Sequence, residues 1–141
     1  MEIANKIVSA VKAGIQELYG TEVSESMIQL QETRPEFEGQ LTVVVFPFLK
    51  ISRKKPEDTA QDLGTFLKTQ IPEIIQDFNV IKGFLNLTIQ HSQWIDLLIY
   101  IQQQEHFGFV PVTEDSPLVM IEYSSPNTNK PLHLGHVRNN L

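Results

Sequence analysis

No cysteine occurs in the 141 residues, so disulfides and thiolate metal sites are excluded and a reducing compartment is compatible with the chain. Long apolar runs are missing too. No stretch approaches the roughly 20 residues that a membrane-spanning helix needs, and the start, Met1-Glu2-Ile3-Ala4-Asn5-Lys6, lacks the basic-then-apolar layout of a signal peptide. Positive charge is in short supply: 11 Lys and Arg stand against 17 Asp and Glu, a net charge of −6. That balance argues against nucleic-acid binding driven by overall charge. Internal repeats and low-complexity tracts are absent. The expectation is a soluble, cytoplasmic protein, probed by no membrane and monomeric. What remains is 41% apolar residues, enough for a core, with 20% charged, which is ordinary for a folded domain.

The charges are unevenly spread. Residues 21–40 carry Glu22, Glu25, Glu32, Glu36 and Glu38 against Arg34 alone. Residues 50–55 carry Lys50, Arg53, Lys54 and Lys55 with no acid among them. Such a cluster suits a local basic patch, and equally a solvated turn between elements.

Ile3, Ile7, Val11, Ile15 and Leu18 mark one face of an amphipathic helix ended by Gly20. Ile28–Gln31 alternates as a strand, and Leu41–Phe46 is β-branched and apolar enough for another. Pro47 ends it. Phe48, Leu49 and Ile51 fit a short helical turn that carries the basic residues outward. Pro56 suits a first helical position, with Glu57 and Asp58 favourable toward the helix dipole, and Ala60, Leu63, Leu67 and Ile71 continue at helical spacing until Pro72. Residues 74–81 and 83–89 read as a two-strand ribbon turning near Lys82-Gly83. In its second strand Leu85, Leu87 and Ile89 belong to a core, whereas Phe84, Asn86 and Thr88 are expected to face outward. Ser92 is expected to cap a last helix bearing Ile95, Leu98, Ile99 and Gln102. Gly108, Pro111 and Pro117 then mark a connector.

The predicted fold is therefore α+β: about four antiparallel strands packed with helices over residues 1–110, a linker over 111–117, and from 118 the first strand and loop of an unfinished Rossmann-type domain. A nucleotide-binding core of that kind needs roughly 100 or more further residues to close its sheet. The chain is accordingly expected to be the front end of a longer enzyme.

The chemistry-bearing residues follow the apolar run Leu118–Ile121. His133-Leu134-Gly135-His136 sets two imidazoles three residues apart, on one face of a helix. Gly135 permits close approach of a ligand to the backbone. A helix start there offers unpaired N–H groups to an anion, and the imidazoles can donate to phosphate oxygens as negative charge builds up. Lys130, three residues upstream, adds a mobile cation. By spacing alone, the same histidines also fit a pair of metal ligands or ordinary surface residues.

The longer string is more specific. Glu122-Tyr123-Ser124-Ser125-Pro126-Asn127-Thr128-Asn129-Lys130-Pro131-Leu132-His133-Leu134-Gly135-His136-Val137-Arg138 closely resembles the signature block of arginyl-tRNA synthetases, which are class I aminoacyl-tRNA synthetases. The resemblance implies that His133 and His136, with Lys130 and Gly135, bind ATP, and that the histidines stabilise the transition state of adenylate formation. It makes Lys130 the stand-in for a lysine of the second class I signature, and it places Glu122, Ser125 and Asn127 at the arginine pocket. A carboxylate suits a cationic substrate and an amide suits its carboxylate or amine. Without the resemblance, Glu122 reads as a strand-end surface residue.

Upstream, Phe46-Pro47-Phe48-Leu49-Lys50, Lys55-Pro56 with Ala60, and Gly83-Phe84-Leu85-Asn86-Leu87 resemble that family's N-terminal additional domain, which binds the outer corner of tRNA near the D-loop. The resemblance implies that Phe84 and Asn86 meet an unstacked D-loop nucleotide, with Lys50, Arg53, Lys54 and Lys55 as accessory tRNA contacts. A ring for stacking and an amide for base edges fit that task; on the residues alone, Phe84 as core and Asn86 as a turn residue fit as well. The implied reaction is arginine plus ATP to arginyl-adenylate, then transfer to arginine tRNA, with Mg2+ accompanying the ATP. This chain alone is expected to bind no ATP and to be catalytically inactive.

Overall fold

The computed structural model describes residues 2–121, Pro126 and 129–141. It divides into two compact units, Met1–Glu105 and His106–Leu141. In the first, the apolar positions at helical spacing wind residues Glu2–Tyr19 into α1, which ends at Gly20. Strand β1 is Gln29–Glu32 and β2 is Leu41–Val44. The expected strand through Phe46 stops earlier because Val45 already turns helical ahead of Pro47, and Phe46–Phe48 forms a 3-10 turn. Helix α2, Leu49–Ser52, is a single turn closed by Arg53 in the left-handed conformation, and α3 runs Pro56–Gln70 with proline at its start.

Strands β3, Ile75–Ile81, and β4, Phe84–Ile89, form the expected hairpin. Its two-residue turn needs positive φ at both centres, and Lys82 and Gly83 adopt 50° and 80°. All pairings are antiparallel, in the order β1-β2-β4-β3. Helix α4, His91–Gln103, begins one residue before Ser92, with Gln90 at its N-cap. Gln90 makes no capping bond; its amide donates to the Pro72 carbonyl at 3.1 Å, so Ser92 is not the cap.

The core lies between one sheet face and the helices. Ile7, Val11 and Ile15 from α1, and Ala60, Leu63 and Leu67 from α3, meet Val43, Ile75, Leu85, Leu87 and Ile89. Each fully buried Val, Leu or Ile side chain contributes about 1.5–3 kcal/mol. At Gly64 the helix lies so close to the sheet that an added Cβ would collide with the Phe78 ring and with Leu85. Gln31, Thr42, Asn79, Ile81, Phe84 and Asn86 lie on the other sheet face.

In the unit His106–Leu141 the described secondary structure is α5, Leu134–Asn140. The strand expected over Leu118–Ile121 does not form, and these side chains are exposed, Leu118 at 95%. A strand is held by its ladder, and among the described residues of this unit no partner strand is present. The beginnings of a Rossmann sheet are thus not seen there. Among the described residues no helix is long and apolar enough to cross a membrane.

Candidate functional site

Strand alternation and the β2-β4-β3 register bring the polar residues of the outer face together. Thr42 and Asn79 lie directly across from Asn86 on its two sides, as Val44 and Ile81 lie across from Phe84. A cavity of about 80 Å³ opens here, lined by Gln31, Arg34, Phe37, Thr42, Ile81, Lys82, Phe84 and Asn86.

Phe84 is half-buried and packs edge-to-face against Phe46, ring centroids 5.3 Å apart. Gly83 holds that contact: a Cβ there would lie 2.6 Å from Pro56 and 3.3 Å from the Phe46 ring. The Phe46-Pro47-Phe48 turn, the start of α3 and the β3–β4 turn therefore brace the aromatic wall from behind.

Asn86 departs from expectation. It is 1% exposed, not presented to the outside. Its Oδ1 accepts from the Thr42 hydroxyl at 2.7 Å and its Nδ2 donates to Asn79 Oδ1 at 2.9 Å. The reason is the pleat: an amide on a central strand, flanked on both sides by polar partners, is satisfied sideways instead of by water. Among the described residues no buried side-chain polar atom lacks a partner.

The basic residues separate into two groups. Lys54 is committed to Asp62 at 2.6 Å and stands 5.9 Å from the centre of the Tyr19 ring. Tyr19 donates to the same carboxylate at 3.1 Å, and burial, reinforced by Asp62, pushes its phenol well above the ordinary range. Lys50, Arg53 and Lys55 are exposed and form no side-chain ion pair among the described residues. The same holds for Arg34 and Lys82 at the cavity. Of the cavity lining, the sequence had offered Phe84 and Asn86; Arg34, Phe37, Thr42 and Lys82 were not singled out. Their one linear clue was Arg34, a lone cation in an acidic stretch.

In the second unit the two histidines close the start of α5 reciprocally. His133 is the N-cap, and its Nδ1 accepts from Gly135 N–H at 3.1 Å; His136 Nδ1 accepts from His133 N–H at 3.1 Å. The rings sit 4.0 Å apart. With both Nδ1 atoms accepting, a neutral imidazole carries its proton on Nε2, so each ring has one donor free for a ligand. Gly135 makes the cap possible, since a Cβ there would lie 2.9 Å from the His133 ring. Lys130 is exposed. Glu122, Ser125 and Asn127 lie outside the described residues. Among the described residues no group of three or more His, Cys, Asp or Glu is placed to hold a metal ion.

Residues 2–89 match the family described as Arginyl tRNA synthetase N terminal domain. An arginine–tRNA ligase of Bacteroides thetaiotaomicron is 64% identical over 141 residues, covering 100% of this chain and 24% of the relative. That of Parabacteroides distasonis is 62% identical over the same span, again 24% of its length. Among solved structures, Thermus thermophilus arginyl-tRNA synthetase aligns with a TM-score of 0.56 at 26% identity, covering 96% of this chain and 21% of that one. The chain spans about a quarter of the length of the curated relatives it matches. With a match over residues 2–89 of 141, the chain belongs to the arginyl-tRNA synthetase family, to which it contributes an N-terminal domain.

Proposed function

We propose that this chain is the tRNA-binding front of a cytoplasmic, monomeric arginine–tRNA ligase, and that the outer sheet face of its first unit contacts the D-loop corner of arginine tRNA. The observation that carries this reading is the cavity beside Phe84, where an aromatic wall stands next to Arg34 and Lys82, two cations that form no ion pair among the described residues. A base leaving its stack finds a ring to lie on, and its phosphates find positive charge. Lys50, Arg53 and Lys55 extend the backbone contacts, whereas Lys54 serves the Tyr19–Asp62 contact first.

The second unit supplies the adenylation signature of the longer enzyme. His133 and His136 offer their Nε2 donors to ATP phosphates while their Nδ1 atoms hold the helix start in shape, and Lys130 adds a cation. Glu122, Ser125 and Asn127 receive the arginine. A magnesium ion accompanying ATP is held largely by the phosphates. The described residues provide no carboxylate cage for it, and none of the roles given to these side chains passes through it. Alone, the chain binds tRNA and performs neither step.

A second function, bracing the rest of the longer protein, is favoured by α4. Trp94, Ile95, Leu98, Ile99 and Tyr100 are all exposed, Leu98 at 65%, and a helix apolar on most sides is normally covered.

Fluorescence anisotropy of arginine tRNA and an unrelated tRNA, titrated with this chain across a salt series, tests the reading. Preferential binding is expected, and Phe84→Ala is expected to weaken it by roughly 5- to 150-fold, the equivalent of 1–3 kcal/mol for one stacked base. Equal affinity for both tRNAs, or affinity indifferent to Phe84→Ala, would leave bracing as the function.

A further inference from the structure

We infer that Asn79 and Thr42 are positioning residues that lock the amide of Asn86 in one orientation, and that this orientation decides which base edge the outer-face cavity accepts. The inference rests on the reading of that face as an RNA contact.

The hydrogen bonds across the sheet have a direction fixed from one end. The Glu38 carbonyl can only accept, so the atom of Asn79 that meets it at 2.7 Å is Nδ2. The Oδ1 of Asn79 is thereby turned toward Asn86 and accepts from its Nδ2 at 2.9 Å. That leaves the Asn86 Oδ1 on the opposite side, where the Thr42 hydroxyl donates to it at 2.7 Å. Thr42 has then spent its proton, so in its 3.0 Å contact with Thr33 the Thr33 hydroxyl is the donor. One backbone carbonyl thus dictates the polarity of four side chains, with the oxygen of Asn86 toward β2 and its nitrogen toward β3.

Both ends of this relay, Thr33 and Glu38, lie in the loop between β1 and β2. The same loop carries Arg34 and Phe37, which line the cavity with Asn86. The relay therefore ties the loop to three strands as well as orienting the amide. Asn86, though only 1% exposed, lines the cavity and keeps one N–H and one oxygen lone pair uncommitted among the described residues. An unpaired base that places a donor toward β2 and an acceptor toward β3 satisfies both; the same edge reversed satisfies neither. Asn79 does not line the cavity, so any influence it has on base choice passes through Asn86 and the loop.

The test has two arms. In the first, this chain and its Asn79→Ala, Thr42→Val and Thr42→Ser variants are titrated against arginine tRNA transcripts in which each D-loop base is replaced in turn. The unaltered chain is expected to favour one base at one position by roughly tenfold or more, as an oriented amide does. Asn79→Ala and Thr42→Val should flatten that preference while leaving some binding through Phe84, and Thr42→Ser, which keeps the hydroxyl, should retain it. A preference unchanged in both Asn79→Ala and Thr42→Val overturns the inference. The second arm needs no RNA: hydrogen exchange of the Asn86 side-chain NH2, followed by NMR, should be slow in the unaltered chain and in Thr42→Ser, and fast in Asn79→Ala. Exchange at the rate of a free asparagine in the unaltered chain overturns the lock outright. A protected Asn86 in a chain that binds no tRNA leaves the lock standing and removes the RNA reading, and base selection with it.

Discussion

The units Met1–Glu105 and His106–Leu141 solve opposite problems. The first encloses Ile7, Val11, Val43, Phe48, Leu63 and Leu85 completely and so has a core of its own. The second leaves Val112, Leu118, Met120 and Leu134 at 80% exposure or more, and its α5 is held locally by two histidines capping one turn. Apolar content alone does not account for the contrast; partners do. A hydrophobic residue becomes stabilising only when the chain supplies another face to set against it.

That contrast is broken or sharpened by substitution. The largest effect is expected at Phe48, fully buried at the end of the 3-10 turn before α2: Phe48→Ala should cost about 3–5 kcal/mol in urea unfolding, against less than about 0.5 kcal/mol for Val137→Ala. Similar losses at both positions would erase the distinction. Next comes Gly64→Ala. Alanine is the better helix former by about 1 kcal/mol, yet its methyl would collide with Phe78 and Leu85, so a net loss of roughly 1–3 kcal/mol is expected in thermal melts. A gain in stability would mean that α3 stands off the sheet.

His133→Ala removes the cap and should lower α5 helicity by about 1 kcal/mol in helix free energy, read from carbon chemical shifts over 134–140. His133→Asn, another good N-cap, should restore it. The smallest effect is at Asp77, whose carboxyl is held below its usual range by the hydrogen bond from Lys68 at 2.9 Å, with help from the Phe78 N–H. A depressed carboxylate contributes stability above its unfolded pKa and loses it as pH falls through the folded value. Lys68→Met should move the NMR titration of Asp77 upward, with almost no change in melting because both side chains are exposed.

Local rules read most of the first unit correctly from sequence. Gly20 ended α1, Pro56 opened α3 and Lys82-Gly83 turned the hairpin, each for a backbone reason carried by the residue itself. Phe84 is singled out by its resemblance and its strand face, and it lines the cavity. The burial of Asn86 is not legible in sequence because alternation gives the face but not the neighbours. That Thr42 and Asn79 flank it is a property of strand order β2-β4-β3, which brings together residues 44 and 7 positions away. The pairing of Lys54 with Asp62 is likewise a property of the fold, since α3 brings that carboxylate within 2.6 Å from eight positions away. The expected strand at Leu118–Ile121 failed for the same kind of reason: composition announces a strand, and a ladder makes one.

Trp94 is the only tryptophan in the chain, and it stands on α4 with 39% of its surface open to water. Its emission therefore reports on the surroundings of α4 more directly than on the packing of Val43, Phe48 or Leu63. The same placement makes the indole a ready-made dye: a blue shift on adding a macromolecule marks drying of α4 without any label.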